Sequence, residues 1–229
     1  MEIFVGTSGW YYSWNLEGTF DWYLKNSGLN AIELNASFYR FPFPNQVKSW
    51  ANKGRNLHWV VKVNRAITHI FRLNEKAFAR WQKFKNLFSP LDDFIDFYLF
   101  QMPPNFSPKL LSRVFEFFEK TGLNGRFAFE PRHIDFWHEN VISEIIEKGI
   151  IFVSVDAPDL PRTIINCSGV IYLRIHGRTA WYSHYYSDEE LKEIAEKILQ
   201  QSPEKVYVFF NNDHAMLENA QRLWEILKG

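Results

Sequence analysis

Residues 170–178 read Val-Ile-Tyr-Leu-Arg-Ile-His-Gly-Arg, an apolar run that becomes charged where it ends. Branched and aromatic side chains favour a β-strand, and Arg174 and His176, two residues apart, share one face of it. The stretch therefore predicts a buried strand whose carboxyl end carries polar side chains.

The same pattern of an apolar, β-rich run occurs eight times along the chain. The runs cover residues 3–6, 31–34, 58–63, 97–101, 127–130, 150–155, 170–175 and 206–210. Most are separated by amphipathic, helix-like stretches, and this alternation implies right-handed crossovers and a parallel sheet. The sequence predicts a single (β/α)8 TIM-type barrel over residues 1–229. Pro158 and Pro161 lie between the sixth and seventh runs, so the outer helix expected there is missing or reduced.

Helix boundaries are marked by capping residues. Pro108 favours a first helical position and Gly122 a helix end. Ser187 followed by Glu190 is typical of a capping box. Asp213 is expected to cap the last helix.

The composition is that of an ordinary globular protein, with 46% hydrophobic and 23% charged residues. The 26 basic and 26 acidic residues cancel, so no global attraction to nucleic acid or membranes is expected. Cys167 is the only cysteine, which excludes an internal disulfide. With no signal-like start and no long apolar run, we expect a cytoplasmic protein without membrane contact. The 18% aromatic content is more typical of a bulky core than of a base-stacking surface.

Polar residues end every predicted strand, which is where barrels of this class place their active sites. The candidate catalytic residues are Glu33, Lys62, Glu130, Asp156 and His176. The candidate substrate-binding residues are Thr7, Ser8, Trp10, Asn35, Tyr39, Gln101, Arg132, Arg174, Arg178, Trp181, Tyr182, Asn211 and Asn212. Burying so many charges is costly unless they pair or bind a ligand, and the cluster therefore predicts a functional pocket.

Each candidate also has a purely structural interpretation. Lys62 could form a buried ion pair with Glu33 or Glu130, and Asp156 could cap a loop. Asn212 and Asp213 could cap only the last helix. Three other histidines are interpreted as ordinary surface or loop residues, namely His69, His133 and His214.

A phosphate group is the ligand that these loops favour. In TIM barrels the loops after strands seven and eight often bind phosphate, and here they supply Arg174, His176, Arg178 and the helix start at Asn212. Trp181 and Tyr182 follow closely and offer aromatic faces beside the cations. The turn at residues 6–9 could also present backbone amides to an anion, although it is equally well a simple strand exit.

Ordered motifs at these strand ends resemble the YecE-like family, also called domain of unknown function 72. They begin with Gly-Thr-Ser-Gly-Trp-Tyr-Tyr at 6–12, Glu-Leu-Asn at 33–35, Ser-Phe-Tyr-Arg at 37–40 and Ile-Thr-His at 67–69. They continue at residues 101–104, 129–133, 155–158, 172–178 and 209–213. The resemblance runs end to end and implies a (β/α)8 barrel, but it implies no particular reaction. Pro131 departs from the Glu-Phe-Arg that is more common in the family.

Three functions remain open from the sequence. The first is an enzyme acting on a phosphate-containing substrate, such as a phosphodiesterase-like hydrolase. Here Arg132, Arg174 and Lys62 would neutralise phosphate, and a divalent metal could bind Glu33, Glu130, Asp156 and His176. The second is a non-catalytic nucleotide or nucleic-acid binding module, and the third a Schiff-base lyase using Lys62. The expected partner is a phosphorylated small molecule or nucleic acid; no cofactor and no oligomeric state is defined.

Overall fold

The computed structural model describes all residues 1–229 and contains nine β-strands and seven α-helices. The elements in the first part of the chain are β1 (Glu2–Thr7), α1 (Phe20–Asn26), β2 (Ala31–Leu34), α2 (Pro44–Lys53), β3 (His58–Lys62), α3 (Glu75–Leu87), β4 (Ile95–Gln101) and α4 (Leu111–Thr121). The remaining elements are β5 (Phe127–Glu130), α5 (Glu139–Glu147), β6 (Ile151–Phe152), β7 (Ser154–Asp156), β8 (Val170–Ile175), α6 (Asp188–Gln200), β9 (Lys205–Phe210) and α7 (Met216–Lys228). The parallel strands and intervening helices define an α/β barrel of the TIM type, which confirms the predicted fold class.

The chain divides into two compact units. The first unit comprises residues 1–33 and 153–229, and the second unit comprises residues 34–152. That residues 1–229 form a single domain stays a prediction.

The first unit is built on parallel pairing of β1, β7, β8 and β9. β9 lies between β1 and β8, with Val5 opposite Val208 and Leu173 opposite Val208. β7 extends this arrangement by pairing with β8, Asp156 lying opposite Ile175. At Gly6 a Cβ atom would lie 2.3 Å from the carbonyl oxygen of Ala31, so only glycine allows β1 and β2 to approach this closely.

The second unit pairs β3, β4, β5 and β6 in that order, again all parallel. Aromatic rings fill its core: Phe100 stacks on Phe127 with ring centroids 4.0 Å apart, and Trp81 packs edge-on against Tyr98 at 5.1 Å. All four rings are buried. The prediction that the high aromatic content serves core packing is confirmed here.

The predicted secondary structure differs from the observed one in two places. The sixth predicted strand is interrupted, because Phe152 pairs with β5 and Ser154 with β8 while Val153 pairs with neither. Asp213 does not cap the last helix, since it starts a short 3-10 turn with φ of 57° and its carboxylate contacts His214.

The other boundary predictions agree with the structure. Ser187 and Glu190 form the capping box of α6, and Gly122 ends α4 with φ of 63°. Pro108 begins a 3-10 turn that leads into α4. No helix lies between β7 and β8, as predicted.

None of the helices has the length and apolar character needed to cross a membrane. The cytoplasmic location stays a prediction.

Candidate functional site

Polar side chains in the first unit meet around Glu33, the last-but-one residue of β2. Its carboxylate is fully buried and accepts four hydrogen bonds. The donors are Ser8 Oγ at 2.7 Å, Tyr172 OH at 2.7 Å, Arg174 Nε at 2.8 Å and Arg174 Nη2 at 2.6 Å. With two oxygens and four donors, the acceptor capacity of this carboxylate is used, so Glu33 is suited to holding Arg174 rather than to moving protons. The predicted pairing of Glu33 with Lys62 is therefore replaced by a pairing with Arg174.

His176 is the next residue in this network. Its Nε2 lies 3.2 Å from Arg174 Nη1, which can only donate, so Nε2 must be an acceptor. A neutral imidazole then carries its proton on Nδ1, which lies 3.3 Å from the side-chain amide of Asn211. The atom of Asn211 that faces Nδ1 is Nδ2, so this tautomer requires the side-chain amide to turn and present its oxygen. Together Glu33, Arg174, His176 and Asn211 form one chain of buried polar contacts, which we call the Glu33 network.

Asp156, at the end of β7, anchors the loop that follows β8. Tyr186 OH donates to Asp156 Oδ1 at 2.7 Å, and Arg178 Nε donates to Asp156 Oδ2 at 3.1 Å. Burial, followed by the charge and hydrogen bond of Asp156, raises the pKa of Tyr186 far above its ordinary value. Arg178 also donates to Glu193 at 2.7 Å, so two carboxylates offset its charge. Asp156 therefore ties the loop to the barrel strands and is more than a local cap.

The predicted aromatic residues of this unit lie in loops. Trp181 and Tyr182 have ring centroids 5.4 and 5.5 Å from His176, and Trp181 Nε1 donates to Asp159 at 2.8 Å. Trp10 packs on Phe20.

The turn after β1 has some of its polar groups engaged within the protein. Thr7 Oγ1 donates to Gly9 O at 2.7 Å, and the amide of Ser8 donates to Phe210 O at 2.8 Å. Beyond β9, Asn212 Nδ2 donates to His184 O and Asn219 Oδ1 at 2.8 Å each, whereas its buried Oδ1 has no hydrogen-bond partner.

In the second unit, Lys62 ends β3 and is almost completely buried. Its ammonium lies 4.3 Å from the ring centroid of Phe38, a cation–π geometry. Phe38 also contacts Tyr39 at 5.1 Å and His69 at 5.0 Å, both edge to face. Tyr39 is 68% exposed, so its ring faces solvent beside a buried cation.

Glu130 and Arg132 form a buried ion pair at the end of β5. Arg132 Nε donates to Glu130 Oε1, and the two side chains are 8% and 0% exposed. Gln101, at the end of β4, donates from Nε2 to the carbonyl of Met102 at 2.8 Å. Asn35, which follows β2, has a buried Oδ1 with no hydrogen-bond partner. Glu130 is thus paired with Arg132, and the interpretation of Glu130 as a partner of Lys62 stays a prediction.

His69 lies within a concentration of positive charge that the sequence did not reveal. Burial, followed by the charges of Lys62, Arg65, Arg132 and Arg72, lowers the pKa of His69 to about 4. We call these four side chains the cationic cluster. Nδ1 of His69 lies 2.9 Å from Thr68 Oγ1, whereas Nε2 makes no hydrogen bond with the protein. His69 is therefore no ordinary loop histidine.

The backbone around His69 is irregular. Residues Ala66–Ile70 form a single π-helical turn, a local geometry that often marks functional sites. Arg72 and Leu73 follow with φ of 46° and 57°, two consecutive non-glycine residues in the left-handed region. Such conformations cost free energy and persist where the surrounding structure holds them in place. The only signal of this region in the sequence is the Ile-Thr-His motif at 67–69.

No group of three or more His, Cys, Asp or Glu side chains in the structure is arranged to hold a metal ion. Glu33, Glu130, Asp156 and His176, which the sequence offered as possible ligands of a divalent metal, are not found as such a group.

The fold and the polar strand ends define an α/β barrel of the TIM type with two charged clusters. The family model described as "Protein of unknown function DUF72" matches residues 4–229. The chain belongs to this DUF72 family, as the ordered motifs indicated.

Solved structures show the same fold. A DUF72 family protein from Enterococcus faecalis V583 is 20% identical, with a TM-score of 0.83 over 99% of this chain and 96% of that one. A DUF72 family protein from Thermotoga maritima MSB8 is 23% identical, with a TM-score of 0.82 over 100% of both chains. No curated protein matches the chain.

Proposed function

We propose that this protein is an enzyme that acts on a phosphate-containing substrate and binds the phosphate at the cationic cluster. The observation that carries the proposal is the surplus of positive charge around His69. Lys62, Arg65, Arg72 and Arg132 act on this imidazole, and Arg132 is ion-paired with Glu130. Several cations held close together can bind an anion through charge-assisted hydrogen bonds.

The cluster combines the two kinds of cation that phosphate sites use. Lys62 supplies a compact charge on a nearly buried stem, and Arg132 supplies a planar guanidinium fixed by Glu130. A fixed guanidinium can stabilise charge that develops on phosphate oxygens without reorganising during the reaction. In this proposal Glu130 acts by positioning Arg132.

The arginines of the first unit are less suited to bind the phosphate. Arg174 makes two hydrogen bonds to Glu33, and Arg178 pairs with Asp156 and Glu193. Their charges are already offset by carboxylates, so an anion would gain little there. We propose that the Glu33 network and the Asp156 contacts shape the strand ends and the loop after β8.

A phosphodiester is the finer form of the proposal. The exposed ring of Tyr39 beside the cluster would suit a planar group attached to the phosphate, as in a nucleotide. The same observation favours the second candidate, a non-catalytic nucleotide or nucleic-acid binding module. The two functions differ in turnover, which a binding module lacks.

The Schiff-base alternative rests on Lys62 alone, whose buried ammonium lies near other cations. Borohydride treatment in the presence of aldehyde and ketone substrates would trap a covalent adduct on Lys62 if this alternative holds.

The test of the proposal begins with anion binding. Sulfate and inorganic phosphate are titrated into the wild type and into Arg65→Gln and Arg55→Gln, both changes at exposed arginines of the second unit. Arg65→Gln should weaken binding by roughly 3- to 10-fold, as expected for losing one charged contact of about 1 kcal/mol. Arg55→Gln should leave binding unchanged. Equal affinities for all three proteins would contradict the cationic cluster as the anion site.

Turnover is measured next, on a panel of phosphomonoesters, phosphodiesters, nucleotides and short single-stranded DNA and RNA, with and without Mg²⁺ or Mn²⁺. Hydrolysis that weakens in Arg65→Gln but not in Arg55→Gln would support the enzyme. Tight binding of nucleic acid with no turnover on the whole panel would instead support the binding module.

A further inference from the structure

We propose that His69 is the proton-carrying residue of the phosphate site, taking up a proton when the anion binds and donating it to the leaving oxygen of the substrate. This inference rests on the proposed phosphate site and assigns its acid. It concerns a residue for which the sequence suggested no function.

The geometry leaves one nitrogen of His69 available. Nδ1 is engaged by Thr68 Oγ1 at 2.9 Å, and Thr68 is completely buried, which fixes this side of the ring. The ring edge contact with Phe38 at 5.0 Å holds its plane. Nε2 makes no hydrogen bond with the protein. It is also not a buried atom, so it is accessible from outside the protein. Nε2 is therefore the atom that can meet a ligand.

The charged groups around His69 come from three segments. Lys62 ends β3, Arg65 and Arg72 flank the π-helical turn, and Arg132 follows β5 with Glu130 as its partner. All four cations oppose a positive charge on the imidazole. Without an anion the ring is therefore neutral at pH 7.

A bound phosphate reverses this balance. Its negative charge offsets the four cations and directly favours the imidazolium, so anion binding and protonation of His69 stabilise one another. Because linkage is reciprocal, an anion that raises the pKa of His69 should itself bind more tightly at lower pH. Binding of a phosphate ester would therefore also protonate the residue that acts as the acid.

In ester hydrolysis His69 would donate one proton and regain one, so that the reaction is balanced. Water attacks phosphorus, and its P–O bond forms as the P–O bond to the leaving oxygen breaks. The leaving oxygen receives the proton of Nε2 and departs as the alcohol. The phosphate product, which carries the water's extra proton, returns one proton to the neutral imidazole. Water is the only co-reactant, and no oxidation or reduction takes place.

The experiment follows the ring signals of the seven histidines by NMR while pH is varied from 3.5 to 8. It compares the wild type in sodium sulfate and in sodium chloride of equal ionic strength. Sulfate is the probe because it keeps its double negative charge across this range. His69→Gln identifies the His69 signal by its loss; if this variant does not fold, the signal is assigned by through-bond experiments on the wild type.

We expect the titration midpoint of His69 to lie near pH 4 in chloride and to rise by at least one unit in sulfate. In Arg65→Gln the sulfate-induced rise should become smaller. For a rise of one unit, sulfate affinity should increase about twofold between pH 7 and pH 5 in the wild type and stay constant in His69→Gln.

Two results would overturn the inference, and they differ in what else they overturn. If sulfate binds at the cluster, as shown by the loss of affinity in Arg65→Gln, but the His69 midpoint stays in place, His69 is not the acid and the phosphate site stands. If sulfate does not bind at all, the phosphate site fails together with the acid.

Discussion

The Glu33 network and the cationic cluster both gather charged side chains at strand ends, but they differ in how completely the charges are compensated. Glu33 receives four hydrogen bonds from three side chains, and Arg174 is fully buried with it. The cationic cluster sets four positive groups around one imidazole, and Arg132 there is ion-paired with Glu130. A fully paired network rigidifies a fold, whereas a surplus of one charge remains available for a ligand.

The largest difference should appear when a charge is removed from the Glu33 network. Glu33→Ala leaves the guanidinium of Arg174 buried without its carboxylate, which costs about 3–5 kcal/mol of unfolding free energy. Urea denaturation followed by circular dichroism measures this loss. Glu2→Ala, at an exposed residue paired with Lys205 at 3.3 Å, is the control and should change stability by less than about 1 kcal/mol. A similar small loss for Glu33→Ala would mean that the network is not the stabilising region.

Removing a single donor from Glu33 should give an intermediate effect. Tyr172→Phe deletes only the hydroxyl that donates to Glu33 Oε2 at 2.7 Å, and a hydrogen bond to a buried charge contributes about 2 kcal/mol. Tyr11→Phe deletes a hydroxyl from a residue that is 83% exposed and should leave the free energy of unfolding unchanged. If the two variants unfold at the same urea concentration, the fourth hydrogen bond of Glu33 adds nothing to stability.

The position of the Glu33 network could be read from the sequence, but its pairings could not. Of the cationic cluster, the sequence indicated only Lys62 and Arg132. Each apolar run is a local signal, and the polar residues that follow it mark the strand end without any knowledge of neighbouring elements. The partner of Glu33 is 141 residues away in the chain, so the choice between Lys62 and Arg174 depends on strand register. The same limit hid His69, because its low pKa depends on Arg132, which lies on a different strand exit. Backbone strain at Arg72 and Leu73 has no signature in residues that are neither Gly nor Asn.

The cationic cluster should reveal itself through acid sensitivity. The pKa of His69 is about 4 in the folded protein and 6.5 in the unfolded chain. Above pH 6.5 the ring is neutral in both states and contributes nothing to the pH dependence. Between pH 6.5 and 4 the unfolded chain binds the proton first, so stability falls as the pH is lowered. After allowance for solvent screening of a partly exposed ring, the loss is about 1 kcal/mol.

His69→Gln should lack this part of the acid sensitivity. Urea midpoints of the variant and the wild type are compared at pH 7, 5.5 and 4, with and without sulfate. Sulfate should reduce the wild-type loss, because an anion at the cluster favours the protonated ring. Parallel pH profiles of the two proteins in chloride would show that the four cations do not act on His69.

The smallest expected effect is a change in the free energy of unfolding that has opposite signs in the two regions. In the Glu33 network any deletion lowers stability, whereas Arg65→Gln removes one of several like charges and should raise the free energy of unfolding by a few tenths of a kcal/mol. The gain should disappear in about 1 M NaCl, where charges are screened within about 3 Å. Arg55→Gln, outside the cluster, should show no gain at either salt concentration. Arg65→Gln should also weaken sulfate binding. A variant that is more stable but binds sulfate less tightly would show that repulsion among the cations destabilises the fold and that the same cations bind the anion. A loss of stability in Arg65→Gln would show instead that the cluster, like the Glu33 network, is held together by its own contacts.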